Sequence, residues 1–129
     1  AEMRRVGFVR RTISNPLGQD LVVGCSPDSL VGEDGALEIK TMRPDLMIAL
    51  AEKGAAGFPT NHRAQVQGTM WVCGLKWVCL KIFYRRMPIS PEFVVLRDQA
   101  YIDRLKNAVE EFEYGVRQLV EKIKRMGGL

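Results

Sequence analysis

The stretch from Leu21 to Met42 constrains this chain more than any other. Leu21 to Cys25 reads as one strand and Ala36 to Met42 as another. Between them, Ser26-Pro27-Asp28 opens a turn, and Gly32 to Gly35 is a tight polar reversal. The stretch from Asp28 to Lys40 therefore reads as lying in a β-hairpin whose returning strand carries Leu37-Glu38-Ile39-Lys40. Successive side chains of a strand point to opposite faces, so Glu38 and Lys40 share one face and Leu37 and Ile39 the other. The apolar pair predicts that its own face packs on a core. Pro27 fixes the turn in a way that aims the Asp28 carboxylate toward the same region.

Asp28, Glu38 and Lys40 together bring two carboxylates and an amine to one point. A hard cation such as Mg2+ takes oxygen ligands, often one or two carboxylates, and leaves its other positions to water and phosphate. The constellation thus points to metal-dependent phosphodiester cleavage. Plainer readings stand beside it. Glu-x-Lys is frequent on solvated strand edges, and an aspartate in a turn often bonds its own backbone. The coincidence of all three residues in one hairpin favours the chemical reading.

The bulk properties bound the rest. A chain of 129 residues, 47% hydrophobic and 26% charged, is sized for one domain with one core, and disorder is excluded. The net charge of +4 suits an acidic partner such as nucleic acid, although Arg and Lys also solvate any surface. Cys25, Cys73 and Cys79 include no CxxC pair and read as small buried hydrophobes of a reducing compartment. Three cysteines cannot build a four-cysteine zinc or iron–sulfur site. The single histidine, His62, reads as a surface residue without a role. No signal peptide or membrane-length apolar run is present, so the expected compartment is the cytoplasm. The first residue is alanine rather than methionine, which is expected of a piece of something longer.

Along the chain, Val6 to Thr12 alternates as a first strand, closed by a turn over Ser14-Asn15-Pro16-Leu17-Gly18. Pro44 opens a helix that fails at Lys53-Gly54, and Gly54 to Pro59 reads as a flexible loop. Thr60 or Asn61 caps the next helix, which Gly74 ends after Cys73. Trp77 to Tyr84 is apolar on both faces and reads as a central, doubly covered strand; Phe93 to Leu96 is the last strand. Asp98 caps a long final helix, ended by Gly127-Gly128. Its apolar positions (Tyr101, Leu105, Val109, Phe112, Val116, Leu119 or Val120, Ile123) form a stripe expected to face the core. The order β-β-β-α-α-β-β-α predicts an α/β (α+β) fold with a mixed central sheet flanked by helices. On the helix after Asn61, Gln65 can bond a phosphate oxygen without adding charge; by composition alone, Gln65 and Gln67 are simply helix formers.

Gly24-Cys25-Ser26-Pro27-Asp28-x-Leu30, Leu37-Glu38-Ile39-Lys40 and Ala64-Gln65-Val66-Gln67-x-x-Met70-Trp71 together resemble the lambda-type (YqaJ-like) phage recombination exonucleases of the PD-(D/E)xK superfamily. The likeness extends over nearly the whole chain, residues 1–129, as a single nuclease core domain. It implies a restriction-endonuclease-like core and a Mg2+-dependent, processive 5′-to-3′ exonuclease on double-stranded DNA, with Mn2+ able to substitute. It also implies a homotrimeric ring and a single-strand annealing protein as partner. By the same resemblance Asp28 and Glu38 are metal ligands and Ile39 offers its backbone carbonyl. Lys40 then steadies the attacking water or developing charge, and Gln65 supports the reacting phosphate. Two neighbouring anions favour an ammonium over a free amine at Lys40, so its role is electrostatic rather than that of a general base.

The sequence departs from the family at Ser29, where glycine is frequent, and at Thr41-Met42, where Cys-Pro is. The family's N-terminal helical region, with a further glutamate and a 5′-phosphate arginine, has no counterpart among these residues. Two alternatives therefore remain: a structure-selective endonuclease or resolvase with the same triad, and a catalytically incomplete module that binds DNA or protein.

Overall fold

The computed structural model describes residues 2–14 and 19–128. Numbered in chain order, its central mixed sheet runs β1 (Met3–Arg4), β4 (Ser29–Val31), β5 (Gly35–Thr41), β6 (Trp77–Phe83), β7 (Glu92–Leu96). β5 and β6 are parallel, and every other neighbouring pair is antiparallel. A parallel pair needs a crossover connection, here made through α1 (Pro44–Lys53) and α2 (Arg63–Cys73). A separate hairpin of β2 (Val9–Ile13) and β3 (Leu21–Cys25) packs against α2. The last element is α3 (Gln99–Met126).

The register decides which face is the core. Ala36, Glu38 and Lys40 of β5 align with Val78, Leu80 and Ile82 of β6, so all six share a face. Ala36 and Val78 are buried with Val66, Met70 and Trp71 of α2 and Ile102 of α3. Leu80 and Ile82 are buried with Met47 of α1 and Phe93 of β7. The expectation that Leu37 and Ile39 bury their own face is therefore reversed: Ile39 is 45% exposed and Glu38 only 2%. A β-helix-β crossover is right-handed almost without exception, and that handedness fixes the side on which both helices lie. Two apolar residues on the other face do not overrule it. For the same reason β6 is not doubly covered. Val78, Leu80 and Ile82 are buried, whereas Cys79 and Lys81 are only half-buried, and Lys81 pairs with Glu92 across the open face.

Local chemistry sets most element ends. Pro44 sits in the first turn of α1. Gly74 closes α2 in the left-handed conformation at φ 67°, its N–H bonded to the Met70 carbonyl, and a residue with a Cβ is strained there. Asp98 caps α3 by accepting the Tyr101 N–H at 3.0 Å. At Gly35 a Cβ has no room, because the Trp77 indole passes 2.1 Å from where it would stand.

Several boundaries differ from the sequence expectation. The first long strand is Val9–Ile13 rather than Val6 to Thr12, and β1 and β4 are additional. Residues 15–18 of the expected turn lie outside the described residues. Gly54–Gly57 forms a 3-10 turn where a loop was expected, and a second turn, Thr60–His62, precedes α2, so neither Thr60 nor Asn61 caps that helix through its side chain. The stripe on α3 is only partly core. Ile102 is buried, but Phe112 is 72% exposed and Met126 79%. A helix of 28 residues is about 42 Å long, and it outruns the domain on which its first turns pack.

A candidate metal centre at the edge of the sheet

Asp28 stands between β3 and β4, just after the buried Pro27. Its Oδ2 accepts the Ile39 N–H at 2.7 Å, so the aspartate bonds across to β5 rather than to its own turn. Pairing of β4 with β5 stops at Ser29 and Leu37, and Asp28 takes over the sheet edge where that ladder ends. The N–H and C=O of a strand residue leave the same edge. The Ile39 carbonyl therefore also points past the end of β4, on the side where Asp28 lies, while the Ile39 side chain faces the open surface of the sheet.

Glu38 projects to the helix-covered face, where the charge of Asp28 acts on it. Its Oε1 is buried with no hydrogen-bond partner among the described residues. Burial, then the charge of Asp28, pushes the Glu38 pKa up to about 7, and the Lys40 ammonium only partly opposes this. A desolvated carboxylate oxygen without a donor is costly. The arrangement is one that a cation relieves. Among the described residues no third His, Cys, Asp or Glu joins the pair. The protein offers two carboxylates and a carbonyl, a set that suits a hard cation retaining several waters.

Lys40 shares the face of Glu38 and acts on its charge. It acts as well on His62, which is half-buried rather than a plain surface residue. Burial first, then the Lys40 charge, holds the imidazole below its usual range. Gln65, exposed in the first turn of α2, lines with Glu38 and Ser26 a cleft of about 420 Å³. The structure thus joins Asp28 directly to the Ile39 backbone, links Glu38 to Asp28 and Lys40 through their charges, and places Gln65 in one cleft with Glu38.

The sequence did not disclose the neighbours of this cleft. Cys25 and Thr69 also line it, and Cys25 Sγ lies 3.5 Å from Cys73 Sγ. Burial and the Cys73 thiol push Cys25 up to about 12, which makes it an inert thiol at neutral pH. The two cysteines are neighbours only because β3 lies against α2, and no spacing pattern announces that contact. All three cysteines are half-buried rather than buried.

A parallel strand pair bridged by helices, with Asp28 at the sheet edge and Glu38-Ile39-Lys40 on the strand beside it, defines the PD-(D/E)xK type of fold. Within that class, the YqaJ-like viral recombinase domain matches residues 2–76, and the chain belongs to that family. The chain is similar to the crystal structure of an alkaline exonuclease, LHK-Exo, from Laribacter hongkongensis. The TM-score is 0.81 at 25% identity, covering 98% of this chain and 63% of that one. The LHK-Exo complex with dAMP aligns at a TM-score of 0.75 and 26% identity, with the same coverage. The chain therefore spans less than two thirds of the length of these relatives. No curated protein matches it.

Proposed function

We propose that this chain is the catalytic core of a Mg2+-dependent deoxyribonuclease that hydrolyses double-stranded DNA from its ends, 5′ to 3′, in phage-type recombination in the cytoplasm. One observation carries the reading: Glu38 is buried, within the influence of the Asp28 charge, and its Oε1 has no hydrogen-bond partner among the described residues. Asp28, Glu38 and the Ile39 carbonyl would hold the ion, and Mn2+ would substitute for Mg2+. When bound, the ion polarises the phosphoryl oxygen and lowers the pKa of its water.

The chain's own groups do the rest. Lys40 offsets the negative charge that develops on the phosphoryl group, a charge met best by a donor already in place. Gln65 orients a phosphate oxygen from the cleft wall without adding charge. Without a metal, Glu38 gives up its proton only above about pH 7, so ion binding should strengthen toward the alkaline side. The family and the LHK-Exo likeness support DNA as substrate; a single-strand annealing protein as partner and a homotrimer are carried over from the sequence resemblance.

The test is digestion of end-labelled linear duplex and of closed-circular DNA with Mg2+. The linear duplex should be degraded, the circle should survive, and chelation should stop the reaction. Lys40→Ala should lower the rate by about 10²–10³-fold, the scale of losing one transition-state donor, while DNA binding persists. Cleavage of the circle would instead indicate an endonuclease. Binding without cleavage under all metals would indicate a module without catalysis.

A further inference from the structure

Arg4 pairs with Leu30 in the central sheet, and Val9 pairs with Cys25 in the β2–β3 hairpin. Five positions separate the two pairs on both strands, so residues 5–8 and 26–29 span one gap in step. Val6 is then abreast of Asp28, and Phe8 abreast of Ser26. Two residues of extended chain cover about 7 Å, which is the length of about two stacked nucleotides. Phe8 therefore stands within a short stretch of DNA from the Asp28 carboxylate.

Alternation along the strands fixes what the hairpin shows to solvent. Val9, Ile13, Val23 and Cys25 face the core beneath α2, and Arg11 on the same side donates to the Trp71 carbonyl at 2.6 Å. Arg10, directly across from Gly24, is turned outward with Thr12 and Val22, and all three are exposed. Phe8 is 65% exposed, yet its ring rests on the backbone. The far half of the ring fills the space that a Cβ on Gly24 would need, with Cζ 2.1 Å from that position. Gly24 in turn lines the cleft that holds Glu38 and Gln65. β2 and β3 contain no carboxylate, and Arg4, Arg5 and Arg10 are exposed without an ion pair among the described residues.

An aromatic face among unpaired arginines, at the rim of the Glu38–Gln65 cleft, fits a ligand that combines a flat ring with an anionic backbone. Bases inside a duplex keep both faces in the stack, whereas an unpaired base can lie on an aromatic side chain. We infer that Phe8, seated on Gly24, is a stacking platform for an unpaired DNA base beside the reaction site, and that Arg10 holds a phosphate of the same strand. The inference rests on the nuclease reading and adds a preference to it, for duplex that borders a single-stranded segment over a blunt end. A nuclease that shortens one strand of a duplex leaves the other unpaired, so that segment is present after the first turnovers.

The test is fluorescence anisotropy of labelled DNA in the presence of chelator, so that nothing is cut. Blunt duplex is compared with the same duplex carrying a 3′ or a 5′ overhang, and one of the overhangs should bind about tenfold more tightly. Abasic nucleotides in that overhang next to the junction, or Phe8→Ala, should each remove the gain, and together they should cost no more than either alone. Phe8→Tyr should keep the gain, and Phe8→Leu, which retains apolar bulk without a ring face, should lose it. Arg10→Ala should lower the salt dependence by about one counterion. Equal affinity for all three DNAs, an undiminished gain in Phe8→Leu, or losses that add would overturn the inference. A parent chain that prefers the overhang but never cuts with Mg2+ would overturn the nuclease reading and leave the platform standing. A parent chain that binds no DNA would overturn both.

Discussion

Glu38 is buried where most carboxylates are solvated, and its titration is the most direct consequence. Its pKa stands near 4.5 in the unfolded chain and at about 7 in the fold. The folded state thus holds the proton more tightly than the unfolded state. The stability this contributes is full below pH 4.5, declines as pH rises, and is lost above about pH 7. The size of the effect is about 3 kcal/mol. In metal-free buffer, Glu38→Gln should therefore exceed the parent in stability by up to that amount at pH 8 and match it near pH 4.5. Urea denaturation at the two pH values checks this, and a difference independent of pH would contradict it. At this scale the meeting of Asp28 with the Glu38–Lys40 strand was legible in the hairpin motif, and the structure puts Gln65 in one cleft with Glu38. The burial of Glu38 was not legible, because it depends on the side of the sheet that the crossover helices take.

Elements with dense local signals were read well. β3 matched residue for residue, and Pro44, Gly74 and Asp98 set helix ends as their chemistry requires. β1 and β4, of two and three residues, are too short to show any period and are held by their neighbours. The α3 stripe was seen but misassigned, because a period of three and four shows that a face is apolar and not what covers it. The distinction has a measurable form. Ile102→Ala, at a fully buried position, should cost about 2–5 kcal/mol. Phe112→Ala, at an exposed position, should change stability by no more than about 0.5 kcal/mol. Equal losses at the two positions, by thermal or chemical unfolding, would mean that the far half of α3 is packed within the single chain.

For the molecule as a whole, the sheet presents Glu38 beside the N-terminal turn of α2, and the net charge of +4 biases it toward a polyanion. Binding to duplex DNA should weaken as salt rises, because phosphate contacts release counterions, with log Kd rising in proportion to log salt concentration. An affinity indifferent to salt would argue against a phosphate-tracking surface. The fold class and family were legible from the motifs, because three segments far apart in sequence had to meet in one sheet-and-helix core.

The ion-binding capacity of the Asp28–Glu38 edge decides the account. Titration of Mn2+ into the protein at pH 8, followed by calorimetry or by the ion's magnetic resonance signal, should show a site that Asp28→Asn and Glu38→Gln each remove. Undiminished binding in both variants, or none in the parent, would contradict it.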